Sequence, residues 1–382
     1  MQVSSFTKSY AAAIRQVTAW SYKFANLQAM ATPGKGARNT RITNEWAVLT
    51  GRDNRWLKEF RMALRGGLPT ESGFVGVEGV RLVEEALRSG CPIQAVLFSE
   101  SGQRHHERLA SLIDRPEMGF PTLRTTDRLF EGLADTEHPQ GVAALVKPRE
   151  TSFDDFVRTP ESACAPLLVV LAGVQDPGNV GTILRTAAAF GATGAATAAS
   201  GISGTASPYS PKALRASAGA ALHLPILAGM SLAILLTQFK IAGIRTLASV
   251  ARAASPADLS APLDSSPSLV GAQHAAPHRG NQAAFDANSV GARLSLPADA
   301  GASSSGHVAS PLLAPWEVDW CQPIALLVGN EGAGLPEEIE RSADARIHIP
   351  MATGVESLNA AAAAAVVFYE AARQRSSGSL PL

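Results

Sequence analysis

Cysteine is scarce in this sequence. The three present, Cys91, Cys164 and Cys321, lie far apart and form no CxxC pair. A disulfide framework or a zinc site is therefore not expected, and a reducing compartment is the default. No run approaches the roughly 18 consecutive apolar residues that a membrane-spanning helix needs. An excess of charge is also lacking, because 33 Lys and Arg balance 33 Asp and Glu, and charged residues make up 17% of the chain. Any affinity for nucleic acid must then come from local patches. Familiar ligand templates are missing too: no GxGxxG follows a strand, and neither a GxxxxGKS/T phosphate loop nor a GxSxG elbow occurs. The adjacent His105 and His106 open no zincin, since HERLA lacks the second histidine of HExxH.

What is present supports a core: 46% of 382 residues are hydrophobic, enough for two domains and linkers. Residues 1–44 hold no Asp or Glu but carry Lys8, Arg15, Lys23, Lys35, Arg38 and Arg41. This composition resembles an organelle transit peptide. A basic RNA-touching arm, or upstream sequence before a start at Met30, are the other readings. Residues 1–48 are expected to be a flexible extension. Arg52, Arg55, Lys58, Arg61 and Arg65 follow on a helix, opposed only by Asp53 and Glu59. That excess of one sign points to RNA phosphates, against a plain solvated face.

Residues 49–148 alternate short apolar strands with helices. Strands are expected at Phe74–Val80, Ile93–Ser99, Thr122–Thr125 and Val142–Val146, with helices at Arg81–Ser89, Arg104–Ile113 and Asp127–Leu133. Nothing in this small α/β unit looks catalytic. A linker at 149–165 leads to a second α/β domain, 166–376. It opens with a strand, Leu167–Ala172, a loop, Gly173–Asn179, and a helix, Val180–Phe190. Helices are expected at Pro211–Ala221 and, with an amphipathic pattern, at Met230–Ile241, then a strand at Ile244–Val250. Residues 252–314, rich in Ala, Ser, Pro and Gly with Phe285 as their one aromatic, read as a disordered insertion. After it come a strand at Ile324–Val328, a short helical piece, a strand at Arg346–Ile349 and a long alanine-rich helix.

Three patches in this second domain could carry chemistry. Asp176–Gly194 places Asn179 and Gly181 at a strand-to-helix turn, with Arg185 on the first turns of the helix. An ordinary capped helix is the plainer reading. Gly329–Pro336 is a glycine-bearing turn after a strand, and Ile349–Ala361 carries Ser357 and Asn359 at a helix start, where simple N-capping is the alternative. Two such loops, rich in glycine and uncharged hydrogen-bonding groups, suit a nucleoside better than a metal or a phosphate.

Taken together, the patches resemble the three signature motifs of the SpoU (TrmH) family of RNA ribose 2′-O-methyltransferases. The first is NxGxxxR as Asn179, Gly181 and Arg185. The second is GNExxGL as Gly329, Asn330, Glu331, Gly334 and Leu335. The third is IPM…SLN as Ile349, Pro350, Met351, Ser357, Leu358 and Asn359. Lys212–Ala220 resembles a further family segment. Val75–Leu87 and Thr136–Val146 resemble the ribosomal-protein-L30-like substrate-binding module that many members carry. The insertion is the main departure from the family pattern.

The resemblance implies an α/β trefoil-knot methyltransferase domain behind a small L30-like α/β domain, a homodimer through the knot domain, and S-adenosylmethionine as cofactor, with no metal. It implies catalytic roles for Arg185, Asn179, Glu331, Ser357 and Asn359. Gly329, Asn330, Gly332, Gly334, Leu335, Ile349, Met351 and Leu358 would hold the cofactor. Arg52, Arg55, Lys58, Arg61, Arg65, Lys212 and Arg215 would hold RNA. Ribosomal RNA of the 23S type, at a guanosine, is the expected substrate, with tRNA or a catalytically inactive RNA-binding relative as alternatives. The cytoplasm is the expected location, or an organelle matrix if residues 1–44 act as a transit peptide.

Overall fold

The computed structural model describes residues 46–114, 119–159, 165–199, 204–251, 310–352 and 357–376. The basic residues of segment 1–44 and most of the expected insertion, residues 252–309, lie outside these. The first described strand begins at Ala47.

The small lobe is a five-stranded sheet in the order β1–β4–β3–β5–β2. Its strands are β1 (Ala47–Leu49), β2 (Val75–Glu78), β3 (Ile93–Ser99), β4 (Thr122–Thr125) and β5 (Val142–Val146). Strand β1 pairs in parallel with β4, so residues 47 and 48 belong to the sheet and not to a flexible extension. Three residues are too few for a period to show in the sequence. Helices α1 (Arg55–Leu64), α2 (Val80–Arg88), α3 (His106–Ile113) and α4 (Asp127–Glu131) surround the sheet. Helix α1 starts where Asn54 accepts from Trp56 N, and it buries Leu57, Phe60, Ala63 and Leu64 against β3 and β5. His105 falls in a 3-10 turn before α3, which is shorter than the expected helix.

A short helix, α5 (Phe153–Val157), leads into the large lobe, whose sheet has seven strands in the order β10–β12–β9–β11–β6–β7–β8. These are β6 (Leu167–Ala172), β7 (Gly194–Ala199), β8 (Ile226–Ser231), β9 (Arg245–Val250), β10 (Leu312–Leu313), β11 (Ile324–Val328) and β12 (Ala345–His348). Every pairing is parallel. The helices are α6 (Pro177–Ala189), α7 (Pro211–Ala216), α8 (Ala220–His223), α9 (Leu232–Ala242), α10 (Glu337–Ser342) and α11 (Ala360–Ser376). Strands β6 and β11 are buried along their whole length, as parallel strands covered on both faces must be.

Several expectations need correcting. Helix α6 starts at Pro177, not Val180: Asp176 accepts from Gly178 N, and proline at the first position costs no hydrogen bond. The expected helix Pro211–Ala221 is two pieces, broken where Ala218 and Gly219 take positive φ. The start of the expected helix at Met230 belongs to β8, and α9 is not cleanly amphipathic, because Ile234 and Ile241 are exposed. Strand β10 ends the expected insertion early, since Leu312 and Leu313 pair with Arg346 and Ile347.

Candidate active site

In an all-parallel sheet the carboxyl ends of the strands share one edge, and ligands bind where the strand order reverses. From β6 the chain runs to β7 on one side, while β11 pairs on the other, so the loops after β6 and β11 flank that point.

The first loop ends in the Asp176 cap. Lys212 on α7 ion-pairs with Asp176 at 2.7 Å. That hydrogen bond, with the Gly178 N–H, holds the Asp176 carboxyl below its usual range. Helix α7 lies tight on α6: a Cβ on Gly181 would stand 2.7 Å from Ala216 Cβ and closer still to Ala213 O.

The second loop folds on itself. Asn330 and Gly334 exchange backbone hydrogen bonds at 2.9 and 3.0 Å, and Gly334 takes φ +70°. Asn330 Oδ1 accepts from Gly332 N and Ala333 N, while its Nδ2 donates to Gly173 O at 2.9 Å, joining the two loops. A Cβ on Gly329 would lie 2.5 Å from Leu335 N, so the close approach this glycine permits is to its own loop. Gly332 meets only Asn330 Oδ1, at 3.6 Å, and needs no such room.

Glu331 then reaches across to the first loop. It accepts from Gln175 N and Asp176 N, both at 3.2 Å, and from Asn179 Nδ2 at 3.0 Å. Partial burial alone would raise its pKa. The hydrogen bonds from Asn179, from its own N–H and from Gln175 and Asp176 outweigh that, so the carboxyl sits below the usual glutamate value. Asn179 Oδ1 in turn accepts from Asn359 Nδ2 at 3.1 Å, and Asn359 Oδ1 caps α11 through Ala361 N and Ala362 N. All three motifs thus meet in one hydrogen-bonded chain: Glu331, Asn179, Asn359.

The chain also matches known proteins. The profile of the SpoU rRNA methylase family matches residues 166–271 and 298–369. The profile for RNA 2′-O ribose methyltransferase substrate binding matches residues 77–152. The chain belongs to the SpoU family. Its members are RNA 2′-O-ribose methyltransferases that use S-adenosylmethionine. An uncharacterized tRNA/rRNA methyltransferase of Synechocystis sp. is 28% identical over 340 residues, covering 89% of this chain and 98% of that protein. One from Mycolicibacterium gilvum is 29% identical over 302 residues, covering 78% and 76%. An AdoMet-bound rRNA methyltransferase structure from Sinorhizobium meliloti shares the fold with a TM-score of 0.60 at 24% identity, covering 85% of this chain and 97% of that one. The SpoU methyltransferase AviRb from Streptomyces viridochromogenes does so with a TM-score of 0.59 at 24% identity, covering 85% and 99%.

The remaining residues of the SpoU motifs are placed less uniformly. Arg185 is exposed on α6, six residues and about one and two-thirds turns beyond Asn179. It is therefore in mid-helix and not on the first turns, and the amide of Asn179 bonds to Glu331 and Asn359. Among the described residues Arg185 has no hydrogen-bonding or ionic partner. Ser357 is exposed and, among the described residues, makes no hydrogen bond to the cluster; the cap of α11 is Asn359. Ile349 and Met351 are half-buried after β12, and Leu358 is 40% exposed. Leu335 belongs to the buried core with Leu327 and Ala343.

The expected RNA contacts divide in the same way. Arg52 and Arg65 are exposed and Arg61 half-buried, whereas Arg55 pairs with Glu59 and Lys58 with Asp53. Lys212 pairs with Asp176, and Arg215 with Asp135 of the small lobe, each at 2.7 Å, so both have a partner within the protein. Asp176, Gln175 and Asp135 were not singled out from the sequence. The Asp-Pro-Gly start of α6 was the available signal for the first.

Proposed function

We propose that this SpoU protein methylates the ribose 2′-hydroxyl of a guanosine in 23S-type ribosomal RNA, acting as a homodimer. The observation that carries the RNA 2′-hydroxyl reading is the Glu331–Asn179–Asn359 chain at the strand-order reversal, with Arg185 exposed farther along the same helix. The separate small lobe favours a large structured RNA. The exposed Val366 and Tyr369 of α11 support the dimer. β12, inserted between β10 and β9, supports the knot that the family resemblance implies.

The surroundings fit S-adenosylmethionine. Half-buried Ile349 and Met351 and the exposed Leu358 offer apolar surface, and the Gly329–Gly334 loop offers backbone hydrogen-bonding groups, as an adenosine and a methionine stem require. When bound, that cofactor supplies an electrophilic methyl carbon. The chain's own residues must align the hydroxyl oxygen with it and accommodate the charge that develops as the proton passes to water or a phosphate oxygen. Arg185 stays protonated and is a poor base. Its role is to stabilise the developing alkoxide and to grip the neighbouring phosphate bidentately. Asn179, Glu331 and Asn359 hold the three loops in register around the nucleotide.

The test is transfer of tritiated methyl groups to RNA from cells lacking the protein, followed by mapping of 2′-O-methyl sites. A single new site in large-subunit RNA supports the reading. A site in tRNA corrects the substrate, and no transfer at all refutes the activity.

A further inference from the structure

We propose that the Asp135–Arg215 ion pair is a positioning bridge that sets the small lobe against the catalytic helix, so that RNA held by one lobe is presented to the other. The inference rests on the RNA-methylating reading above and adds residues outside its motifs.

On the small-lobe side the bridge is anchored by a buried carboxylate. Glu78, 6% exposed at the end of β2, accepts from Asp135 N at 2.9 Å and from Thr136 Oγ1. These two bonds tie the backbone at Asp135 to β2, and the Asp135 carboxylate reaches from there to α7. Arg215 Nη2 meets it at 2.7 Å from α7, and both side chains are about one-third exposed, at 33% and 34%.

On the large-lobe side, α7 is clamped to α6 twice. The Gly181 contact admits no Cβ, and Lys212, one turn before Arg215, pairs with the Asp176 cap. Asp176 donates its N–H to Glu331, and α6 carries Asn179 and Arg185. Polar contacts, joined by the one turn of α7 between Lys212 and Arg215, therefore connect Glu78 to Glu331. A second link, His223 Nε2 to Glu85 Oε2 at 3.2 Å, lies beside a close packing in which a Cβ on Gly219 would stand 2.8 Å from Glu85 Cβ.

Arg215 is not filled by this pair. Among the described residues its Nη1 is buried without a hydrogen-bond partner.

The test uses the full chain, tritiated S-adenosylmethionine and total RNA from cells lacking the protein. Asp135→Asn and Arg215→Gln should each lower kcat about tenfold, while the Kd values for RNA and for S-adenosylmethionine stay within about twofold of wild type. A misplacement of about 1 Å costs up to ~100-fold. The double variant should be no worse than either single, and Arg215→Lys should recover most of the rate. The proposal is overturned if the singles turn over at the wild-type rate. It is equally overturned if kcat, both affinities and melting temperature fall together, or if the losses multiply in the double variant. Wild-type protein that methylates none of that RNA would sink the underlying reading, and the bridge with it.

Discussion

Asn179 donates to Glu331 across 3.0 Å, joining residues 152 apart in the sequence. The same side chain accepts from Asn359, so one amide ties together three segments that no local pattern connects. Asn179→Ala removes both bonds. Thermal or urea unfolding should show a loss of about 1 kcal/mol, and methyl transfer should fall by more than tenfold. An unchanged rate would free Asn179 from the site.

Arg185 poses a different test, because it is exposed and unpaired among the described residues. Arg185→Ala should leave stability within about 0.5 kcal/mol of wild type and S-adenosylmethionine affinity within about twofold. The rate of methyl transfer should drop by about 100-fold or more. Arg185→Lys should not restore it, since an ammonium lacks the planar fork that grips a phosphate.

Two glycines of the second loop should respond in opposite ways. Gly329→Ala forces a methyl group against the Gly334–Leu335 backbone, which side-chain rotation cannot relieve. It should cost about 1–3 kcal/mol and weaken S-adenosylmethionine binding in a calorimetric titration. Gly332→Ala meets its nearest atom at 3.6 Å and should bind the cofactor normally.

The depressed pKa of Glu331 gives a pH signature. A carboxyl whose folded value lies below its unfolded one contributes stability above the unfolded value. That contribution is lost as pH falls through the folded value. Against Glu331→Gln, wild type should hold a constant advantage in urea unfolding down to about pH 5. The advantage should then shrink below the ordinary glutamate value of 4.5. An advantage that vanished between neutral pH and 5 would contradict the hydrogen bonding seen here.

On α1 and its approach, cations that are paired and those without a partner among the described residues should separate by salt dependence. Replacing Arg52, Arg61 and Arg65 with Ala should weaken RNA binding and flatten its salt slope by roughly 0.7–0.9 per lost phosphate contact. Replacing Arg55 and Lys58, held by Glu59 and Asp53, should change the slope less.

Five strands were legible to the residue: Ile93–Ser99, Thr122–Thr125, Val142–Val146, Leu167–Ala172 and Ile324–Val328. Each is a short, mostly apolar or β-branched run bounded by polar or turn residues, and burial on a sheet is what such a run is for. The three motif patches were legible as well, because their glycines and amides are needed wherever a chain must turn tightly and offer hydrogen bonds. Strand β7 was not, since Gly-Ala-Ala-Thr-Ala-Ala has little preference for an extended backbone and becomes a strand only between β6 and β8. The partners of Asn179, Lys212 and Arg215 were equally hidden. A cation or an amide declares in sequence that it will find a partner, but which one depends on segments tens to hundreds of residues away meeting at one sheet edge, and only the folded chain brings them there.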